Sequence, residues 1–397
     1  MSLHLDKSDW KQVSFGDVVR NVNVALRDPD SAGIDRVIAM EHIDPGELKI
    51  QRWGSLDDGT TFTRQVKPGQ TLFGKRRAYQ RKVAYAEFDA ICSGDILTFE
   101  TDETQLLPEF LPFLVQSNPF FDHALGTSAG SLSPRTNWRD LANFEFGLPS
   151  IEEQKRIADL FWAVEHHRRA LRVEVSATSS TLVQFLHKRF EDAVGDPSRI
   201  VDLCTTVVGG VWGSPEGENE LNVLALGPRV YAGNATYLVP DDSPTRSISR
   251  KQATSRLIQE GDIILERSGG SPEQPVGRVV IAGSNLPDCI PTDFQRLLRP
   301  NTEVVEPRYL FWKLRLDWLE GLTRDYSKRT TNIANLSVPD YLARNVIVPP
   351  REQQLQLLKE VEALELTFLR LDEELNSVDE LRSALFEEIF GGANDSV

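Results

Sequence analysis

Two stretches of the chain have the hydrophobic periodicity of long amphipathic helices. The more regular one begins near Arg351, and three heptads of spacings of four and three predict a coiled-coil helix. Its apolar positions are Leu357, Val361, Leu364, Phe368, Leu371, Leu375 and Val378, extended by Leu381, Leu385 and Ile389. The acidic residues off this stripe predict an outer face that suits a protein partner and repels DNA: Glu360, Glu362, Glu365, Asp372, Glu373, Glu374, Asp379 and Glu380.

The other helix follows Pro149, where Ser150 and Glu153 have the spacing of a capping box. Its stripe contains Ile157, Leu160, Val164, Leu171, Val175, Thr178, Leu182 and Phe185, with His167 at the one gap. Two helices of about forty residues, each about 60 Å long at 1.5 Å per residue, pack most simply as an antiparallel pair. The alternative is that each helix is only a core helix of its own domain.

The chain repeats itself with a shift of 200 residues. Residues 148–154 (Leu-Pro-Ser-Ile-Glu-Glu-Gln) align with residues 348–354 (Val-Pro-Pro-Arg-Glu-Gln-Gln), and residues 69–73 resemble residues 261–265 further upstream. The unit is too large for a solenoid repeat, so we interpret the chain as a tandem duplication of a domain followed by a helix. The predicted boundaries are 1–150 and 196–350 for the two domains, and 151–195 and 351–397 for the two helices, the last with a C-terminal tail.

Each copy mixes strands with helices. Short apolar stretches bounded by Gly, Pro and Asp predict strands at residues 37–40, 70–73, 95–99, 262–266 and 277–282. Helices are predicted at residues 108–116 and 307–319. The expected fold class is therefore α/β (α+β), with two similar globular domains and two long helices in a pseudo-two-fold repeat.

The net charge of −15 argues against nucleic-acid binding only until its distribution is considered. The last 47 residues contain 12 acidic and 4 basic residues, an excess of 8 of the 15 negative charges. Phosphates respond to the local field, so near-neutral domains with clustered cations can still bind DNA. No apolar run is long enough for a membrane span and the N-terminus is not a signal peptide, so we expect a cytoplasmic chain.

Catalytic motifs and metal-ligand spacings are absent from the sequence. There is no phosphate-binding loop, no His-Glu-x-x-His and no Asn-Pro-Pro-Tyr tetrad of an adenine methyltransferase. The three cysteines, Cys92, Cys204 and Cys289, are interpreted as buried free thiols. Gly-Gly at 209–210 and 269–270 is weak evidence for a phosphate-binding loop. We therefore expect no enzyme activity, no metal and no cofactor in this chain.

The candidate DNA contacts begin with a basic cluster after a predicted strand. Residues 75–82 contain Lys75, Arg76, Arg77, Tyr79, Gln80, Arg81 and Lys82, which could offer guanidinium groups to guanine edges or phosphates and an amide to adenine. A solvated basic loop is the alternative. In the second copy the matching region holds Arg267 and Ser268 and leads to Arg278.

A second pair of polar segments also corresponds between the copies. Residues 131–137 include Arg135 and Asn137, and residues 326–332 include Lys328, Arg329 and Asn332. Both segments mix cations with hydroxyl and amide groups, which are the residue types that contact phosphates and base edges.

These features together resemble the specificity subunits of Type I restriction-modification systems. The resemblance depends on the doubled Pro and Glu-Gln segments at 148–154 and 348–354, and it spans essentially the whole chain. It also identifies residues 69–73 and 261–265 as the recurrent strand of each target-recognition domain, where Gln70 departs from the usual Gly-Asp.

The resemblance implies that each domain recognises one half of a bipartite site on double-stranded DNA. The helices would fix the gap between the halves and dock two methyltransferase subunits, which would bring S-adenosylmethionine and methylate adenine N6 after base flipping; motor-nuclease subunits could join them. Two other classes remain open: a protein-binding scaffold with repeated domains, and an enzyme with an unrecognised site.

Overall fold

The computed structural model describes residues 5–130, 133–271, 274–329 and 333–391, and only the backbone of residues 232–234. The chain divides into two compact units. Unit 1 contains residues 1–172 and 373–397, and unit 2 contains residues 173–372. Each unit therefore combines one globule with a segment of each long helix. The boundaries predicted from the sequence separate the globules from the helices, and they stay a prediction.

Unit 1 is built from ten strands and the first five helices of the described chain. The strands are β1 Lys11–Ser14, β2 Val19–Val22, β3 Arg36–Ile38, β4 Gly54–Ser55, β5 Arg64–Val66, β6 Thr71–Gly74, β7 Val83–Tyr85, β8 Ala90–Cys92, β9 Ile96–Thr101 and β10 Glu145–Leu148. The helices are α1 Phe15–Val18, α2 Leu111–Gln116, α3 Asn118–Gly126, α4 Trp138–Leu141 and α5 Ile151–Glu191, of which α5 continues into unit 2.

Three sheets organise the globule of unit 1. The largest is antiparallel, in the order β2-β9-β6-β7, and the second has the order β4-β3-β8-β5 with β3 and β8 parallel. Strands β1 and β10 form a separate antiparallel pair just before α5. Phe15, Phe73, Phe99 and Phe120 are fully buried and meet one another at ring-centroid distances of 5.1–6.0 Å. Burying each such side chain stabilises the fold by about 1.5–3 kcal/mol.

Unit 2 repeats this plan with twelve described strands and four helices that start in it. The strands are β11 Asp196–Arg199, β12 Cys204–Gly209, β13 Leu221–Leu226, β14 Thr245–Ile248, β15 Ile263–Glu266, β16 Ser268–Gly269, β17 Val279–Ile281, β18 Cys289–Pro291, β19 Gln295–Pro300, β20 Ser327–Arg329, β21 Ala334–Leu336 and β22 Asn345–Val348. The helices are α6 Arg250–Arg256, α7 Pro307–Leu319, α8 Val338–Leu342 and α9 Arg351–Phe390, and α9 continues into unit 1.

The sheets of unit 2 correspond to those of unit 1. The sheet β12-β19-β15-β17 matches β2-β9-β6-β7, and β14-β13-β18 matches β4-β3-β8, including the one parallel pair. The pair β11-β22 matches β1-β10. Unit 2 adds a small sheet, β16-β21-β20. The predicted duplication is therefore a duplication of strand order, which confirms the mixed fold class and the repeat.

The long helices have 41 and 40 residues and pack antiparallel within each unit. In unit 1, Phe161 stacks on Phe390 at 6.0 Å and contacts Phe386 at 4.7 Å, while Arg168 bonds Asp379. Residue numbers on α9 fall as those on α5 rise, so the segments run in opposite directions.

In unit 2 the helix pair is apolar near its end. Leu182 and Leu186 share a buried cluster with Leu357, Leu358 and Val361. A surface ion pair between Arg189 and Glu360 continues the same antiparallel order.

Two positions of the predicted helix stripes are wrong. His167 is exposed and contacts Glu374 at 3.1 Å, while its neighbour Arg168 is buried in the seam. On α9, Leu381 is 43% exposed and Arg382 lies inward instead. Both exchanges have one cause: acidic side chains across the seam make an arginine stable there, and the long apolar stem of arginine also fills the space.

The acidic outer face of α9 is also smaller than predicted. Glu365 is buried and bonds Arg308 at 2.7 Å, and Asp379 bonds Arg168. Glu362, Glu373 and Glu380 are exposed as expected. Among the helices described, none combines the length and the apolar character needed to cross a bilayer.

Candidate nucleic-acid interface

The basic loop of unit 1 (residues 75–82) connects β6 to β7 and has a defined backbone. Arg77 and Arg81 have φ values of 56° and 53°, in the left-handed region, on either side of a 3-10 turn at Ala78–Gln80. Arg77 O accepts from Gln80 N at 2.9 Å and Ala78 O accepts from Arg81 N at 2.8 Å. Non-glycine residues rarely adopt this conformation, which persists only when surrounding contacts fix it. The backbone of the loop therefore has one defined conformation.

The second polar segment of unit 1 (residues 131–137) pairs with the basic loop. Arg77 N donates to Pro134 O at 2.8 Å, Thr136 N donates to Lys75 O at 2.9 Å, and Arg76 faces Arg135 in an isolated β-bridge. The two regions are more than fifty residues apart in the sequence. The fold thus brings together the two segments singled out by the sequence; residues 131 and 132 lie outside the described residues.

One carboxylate contacts two arginines at the junction, as we call the place where the basic loop meets residues 134–136. Asp95 Oδ2 lies 3.3 Å from Arg76 and its Oδ1 lies 3.7 Å from Arg135, while Asp95 O accepts from Lys75 N at 3.0 Å. The two arginine side chains remain 45% and 53% exposed. Asp95 therefore orients them without removing them from solvent.

The remaining members of the basic loop divide into exposed and anchored side chains. Arg77 and Tyr79 are exposed, Tyr79 to 56%. Arg81 donates to Gln116 O at 2.7 Å and lies 4.4 Å over the ring of Phe121, and Lys82 donates to Met40 O. These anchored cations position the loop.

Burial and the nearby cations also change the pKa of a lysine in the loop. Burial lowers the pKa of Lys75, and the nearby Arg64 and Arg135 lower it further. Gln80 is half-buried, and Asn137 is exposed at the start of α4. Arg76, Arg77, Tyr79, Arg135 and Asn137 thus form the accessible surface.

Unit 2 builds the same junction with different side chains. Arg267 N donates to Phe294 O at 2.8 Å, as Lys75 N donates to Asp95 O, and Leu336 N donates to Arg267 O at 2.8 Å, as Thr136 N donates to Lys75 O. Ser268 is buried and its Oγ donates to Asn335 Oδ1 at 2.6 Å. The hydrogen-bond scaffold is duplicated while the exposed chemistry is not.

The hairpin of unit 2 presents further cations. Lys328 and Arg329 are exposed on β20, which pairs with β21. Asn332 lies outside the described residues. The two exposed cations therefore lie on the strand next to β21, and Leu336 of β21 donates to Arg267 O.

Arg278 forms an internal ion pair. Its guanidinium donates to both carboxylate oxygens of Glu266, at 2.9 and 2.6 Å, and its side chain is 16% exposed. It also lies 5.0 Å from the ring of Tyr231. Because two of its guanidinium nitrogens donate to this internal ion pair, the structure gives Arg278 a role in stabilising the β15 end, and its contact with DNA stays a prediction.

Sequence reasoning missed three side chains at the unit 2 junction: Trp212, Phe294 and Arg296. Trp212 and Phe294 are 39% and 37% exposed and pack edge-to-face at 5.9 Å. They lie more than eighty residues apart, so only the fold brings them together. Within the described residues no cluster of three or more possible metal ligands occurs.

A family model described as the Type I restriction modification DNA specificity domain matches residues 7–171. Residues 7–171 are thus similar to a Type I specificity domain. This confirms the family resemblance inferred from the doubled Pro and Glu-Gln segments. The matched residues coincide with most of unit 1, including the basic loop.

Two curated relatives of this family align with part of the chain. The Type I restriction enzyme EcoDI specificity subunit of Escherichia coli is 27% identical over 160 residues, which are 39% of this chain and 35% of that protein. The HindI specificity subunit of Haemophilus influenzae is 20% identical over 186 residues, 46% of this chain and 40% of that protein. The alignments thus span less than half the length of either relative.

Solved structures extend the likeness in fold to the whole chain. The S subunit of a Type I restriction-modification system from M. genitalium matches with a TM-score of 0.63 at 14% identity, covering 99% of this chain and all of that one. A chain from a structure on complex assembly and conformational transition of the type I R-M system matches with a TM-score of 0.52 at 20% identity, covering 96% and 98%. At these identities the likeness concerns the fold alone, and it covers both units.

Proposed function

We propose that this chain is the DNA-specificity subunit of a Type I restriction-modification complex, in which each unit recognises one half of a bipartite site on double-stranded DNA. The observation that carries the proposal is the duplicated junction. The same backbone hydrogen bonds hold the cation-bearing loop of each unit. Thr136 of the second polar segment donates to Lys75 O, and Leu336 donates to Arg267 O from β21, the strand that pairs with Lys328 and Arg329 on β20. Exposed arginines in a fixed backbone suit contact with guanine edges and phosphates.

The chain itself contributes recognition and no catalysis. S-adenosylmethionine would be bound by partner methyltransferase subunits, which would methylate adenine N6 after base flipping. Double-stranded DNA and two such subunits are the proposed partners, and a motor-nuclease subunit could join the complex. This assignment extends what the specificity domain implies for the aligned part to the full chain.

Helix α9 offers a surface for such a subunit. Leu355, Leu366 and Leu369 are 49%, 47% and 41% exposed. Leu366 and Leu369 follow Leu355 by 11 and 14 residues, which is close to three and four helical turns, so the three side chains lie in one stripe. Exposed apolar side chains in a line, next to the exposed Glu362, favour a protein partner over DNA. We propose that α5 and α9 together dock the methyltransferase subunits and fix the gap between the half-sites.

The test is to sequence the methylome of a host that carries the chain with its methyltransferase partner. We expect a split, adenine-methylated motif. Replacing residues 1–150 by those of another family member should change only one half of that motif. A continuous motif, or a change in both halves, would contradict two independent recognition units.

A scaffold without specific DNA binding is distinguished by a filter-binding assay of the purified complex. If the complex contacts phosphates, the logarithm of its affinity should fall linearly with the logarithm of the salt concentration. The slope should be about −0.9 for each phosphate neutralised. Binding that does not prefer the motif over a scrambled duplex would instead favour the scaffold.

A further inference from the structure

The junction of unit 2 differs from that of unit 1 at one central position. The carbonyl that accepts from Arg267 N belongs to Phe294, while the carbonyl that accepts from Lys75 N belongs to Asp95. In unit 1 this residue supplies a carboxylate to two arginines. In unit 2 it supplies an exposed aromatic ring. The same scaffold therefore presents an ionic centre in one unit and an apolar centre in the other.

Trp212 is placed beside Phe294 by a close approach of two backbone segments. Gly210 N donates to Gln295 O at 3.3 Å and Val211 N donates to Pro291 O at 2.9 Å. A Cβ at Gly210 would lie 2.1 Å from Thr292 O, so only glycine allows this approach. The two rings then meet edge-to-face and fix one another. Their exposed surface is thus a rigid apolar patch rather than a mobile side chain.

Two arginines flank this patch. Arg296 follows Phe294 by two residues, and it lies on β19 opposite Leu265, two residues before Arg267. Burial lowers the pKa of Arg296, and repulsion by Arg267 lowers it further. Within the described residues the Arg267 side chain forms no ion pair, unlike Arg76 in unit 1. Arg296 donates to Gln295 O at 2.8 Å, and Asp293 partly offsets the effect of Arg267 on its pKa. Arg267 is therefore the guanidinium group of this pair that favours an external acceptor, such as a guanine edge.

We propose that Trp212 and Phe294 form a thymine-recognition surface in unit 2, which contacts the C5-methyl group of a thymine in the half-site bound by this unit. The thymine methyl is the apolar feature of the major groove, and aromatic side chains can contact it, while arginine pairs with guanine in the same groove. Asp95, at the same place in unit 1, has no apolar surface to offer. The inference rests on the proposed function and adds the base type that unit 2 recognises.

The test uses the full chain in complex with its methyltransferase partner and duplexes that contain the methylated motif. Each thymine of the half-site assigned to unit 2 is replaced in turn by deoxyuridine, which removes only the methyl group. We expect at least one replacement to weaken binding of the wild-type complex about threefold to fivefold, the effect of one buried methyl group. The same replacement should have no effect on Phe294→Ala or Trp212→Ala complexes, because their contact is already lost.

Phe294→Leu separates loss of the contact from loss of folding, because it keeps apolar surface and should keep part of the methyl effect. Tyr237→Ala is the matched control, since Tyr237 is an exposed aromatic residue of the same unit (42%) outside the patch; it should keep the full effect. The proposal would be overturned if no deoxyuridine replacement in the half-site weakens binding of the wild-type complex, or if that half-site contains no thymine. It would also be overturned if the effect of the methyl group persists in Phe294→Ala. If the wild-type complex does not prefer its motif over a scrambled duplex, the proposed function fails first.

Discussion

Gln354 Oε1 accepts a hydrogen bond from the backbone N–H of Glu306 at 2.8 Å, and its Nε2 donates to Pro349 O at 2.8 Å. Gln154 forms the corresponding bonds in unit 1, from Leu107 N and to Pro149 O, both at 2.9 Å. The two glutamines are 2% and 0% exposed. The Glu-Gln motif that marks the repeat therefore has a structural role: a buried amide ties the start of each long helix to the preceding globule.

Replacing Gln354 by Ala should lower the free energy of unfolding by about 2–4 kcal/mol. Both hydrogen bonds are lost, and the N–H of Glu306 and the carbonyl of Pro349 lose a buried partner. Urea unfolding monitored by tryptophan fluorescence measures the change. Gln353→Ala is the matched control, because Gln353 is the exposed neighbour, and its effect should stay within about 0.5 kcal/mol. Equal losses in the two variants would contradict this role.

The sequence predicts elements well where their signal is local. Helix α7 has the predicted bounds, and β6, β9, β15 and β17 lie within about two residues of the predicted strands. Ser150 Oγ accepts from Glu153 N at 3.3 Å, as a capping residue should. The Glu153 carboxylate, however, accepts from Trp10 Nε1 at 3.0 Å. That partner lies 143 residues away, beyond what a local motif can predict.

Long-range partners also explain the departure at Gln70. Asp262 accepts two hydrogen bonds from Arg299 on the next strand, at 2.8 and 2.7 Å. Gln70 at the same place donates to Glu100 at 2.7 Å. In unit 2 the acceptor Asp262 precedes β15 and the donor Arg299 lies on β19. In unit 1 the acceptor Glu100 lies on β9 and the donor Gln70 precedes β6, so the two roles are exchanged. A single sequence position suggested a loss, whereas the structure reveals a compensated exchange.

The candidate site was predictable in its segments but not in its residues. Composition singles out the basic loop and the segment 131–137, and residues 134–136 of that segment contact the loop. Composition does not show which side chains are buried. Arg278, for example, is only 16% exposed because it forms an ion pair with Glu266. Trp212 and Phe294 had no signal, since an isolated aromatic residue is normally part of a core.

Replacing Arg168 by Met should destabilise the chain by about 3–5 kcal/mol. Arg168 contacts Glu165 and Glu47 at 3.0 Å and Asp379 at 2.5 Å, and its side chain is 8% exposed. Glu47 and Glu165 keep Arg172 and Arg382 as partners, so removing Arg168 leaves this network with three carboxylates and two arginines, one negative charge in excess. Chemical unfolding of the full chain measures the loss.

Two companion variants test that explanation. Arg156→Met changes an exposed arginine on the same helix and should be nearly neutral. Adding Glu47→Gln to Arg168→Met should restore part of the stability, because Glu165 and Asp379 then remain with Arg382 and Arg172 and the charges balance. A further loss in the double variant would show that packing, and not excess charge, sets the cost.

The thiols should be slow to react in the native chain. Burial raises the pKa of Cys92 and of Cys289 to about 12, with Asp288 adding to the effect at Cys289. At pH 8 the thiols are then almost entirely protonated, and the thiolate is the reactive form. We expect alkylation by iodoacetamide to be at least about a hundredfold faster in denaturant than in buffer. Rapid native labelling of Cys92 or Cys289, located by mass spectrometry, would contradict this.

Arg76→Ala and Arg77→Ala should each weaken binding to the methylated motif. If the lost contact is to a phosphate, the slope of log affinity against log salt should decrease by about 1; if it is to a base edge, the loss should be about 1–3 kcal/mol for one base pair only. Filter binding over a range of salt concentrations distinguishes the two. Arg20→Ala is the matched control, because Arg20 is 75% exposed in the same unit but outside the basic loop. An effect of Arg20→Ala equal to that of Arg76→Ala would indicate only general charge attraction.

Asp95→Asn should separate affinity from specificity. The carboxylate competes with DNA for Arg76 and Arg135 and also repels phosphates, so its neutralisation should raise affinity for random DNA about threefold to tenfold and steepen the salt dependence. Because the two guanidinium groups then lose their fixed orientation, discrimination of the half-site bound by unit 1 should fall. Asp35→Asn makes the same charge change at a carboxylate that is 88% exposed in unit 1. If both variants raise non-specific binding equally and leave discrimination intact, Asp95 acts only through its charge and does not orient the arginines.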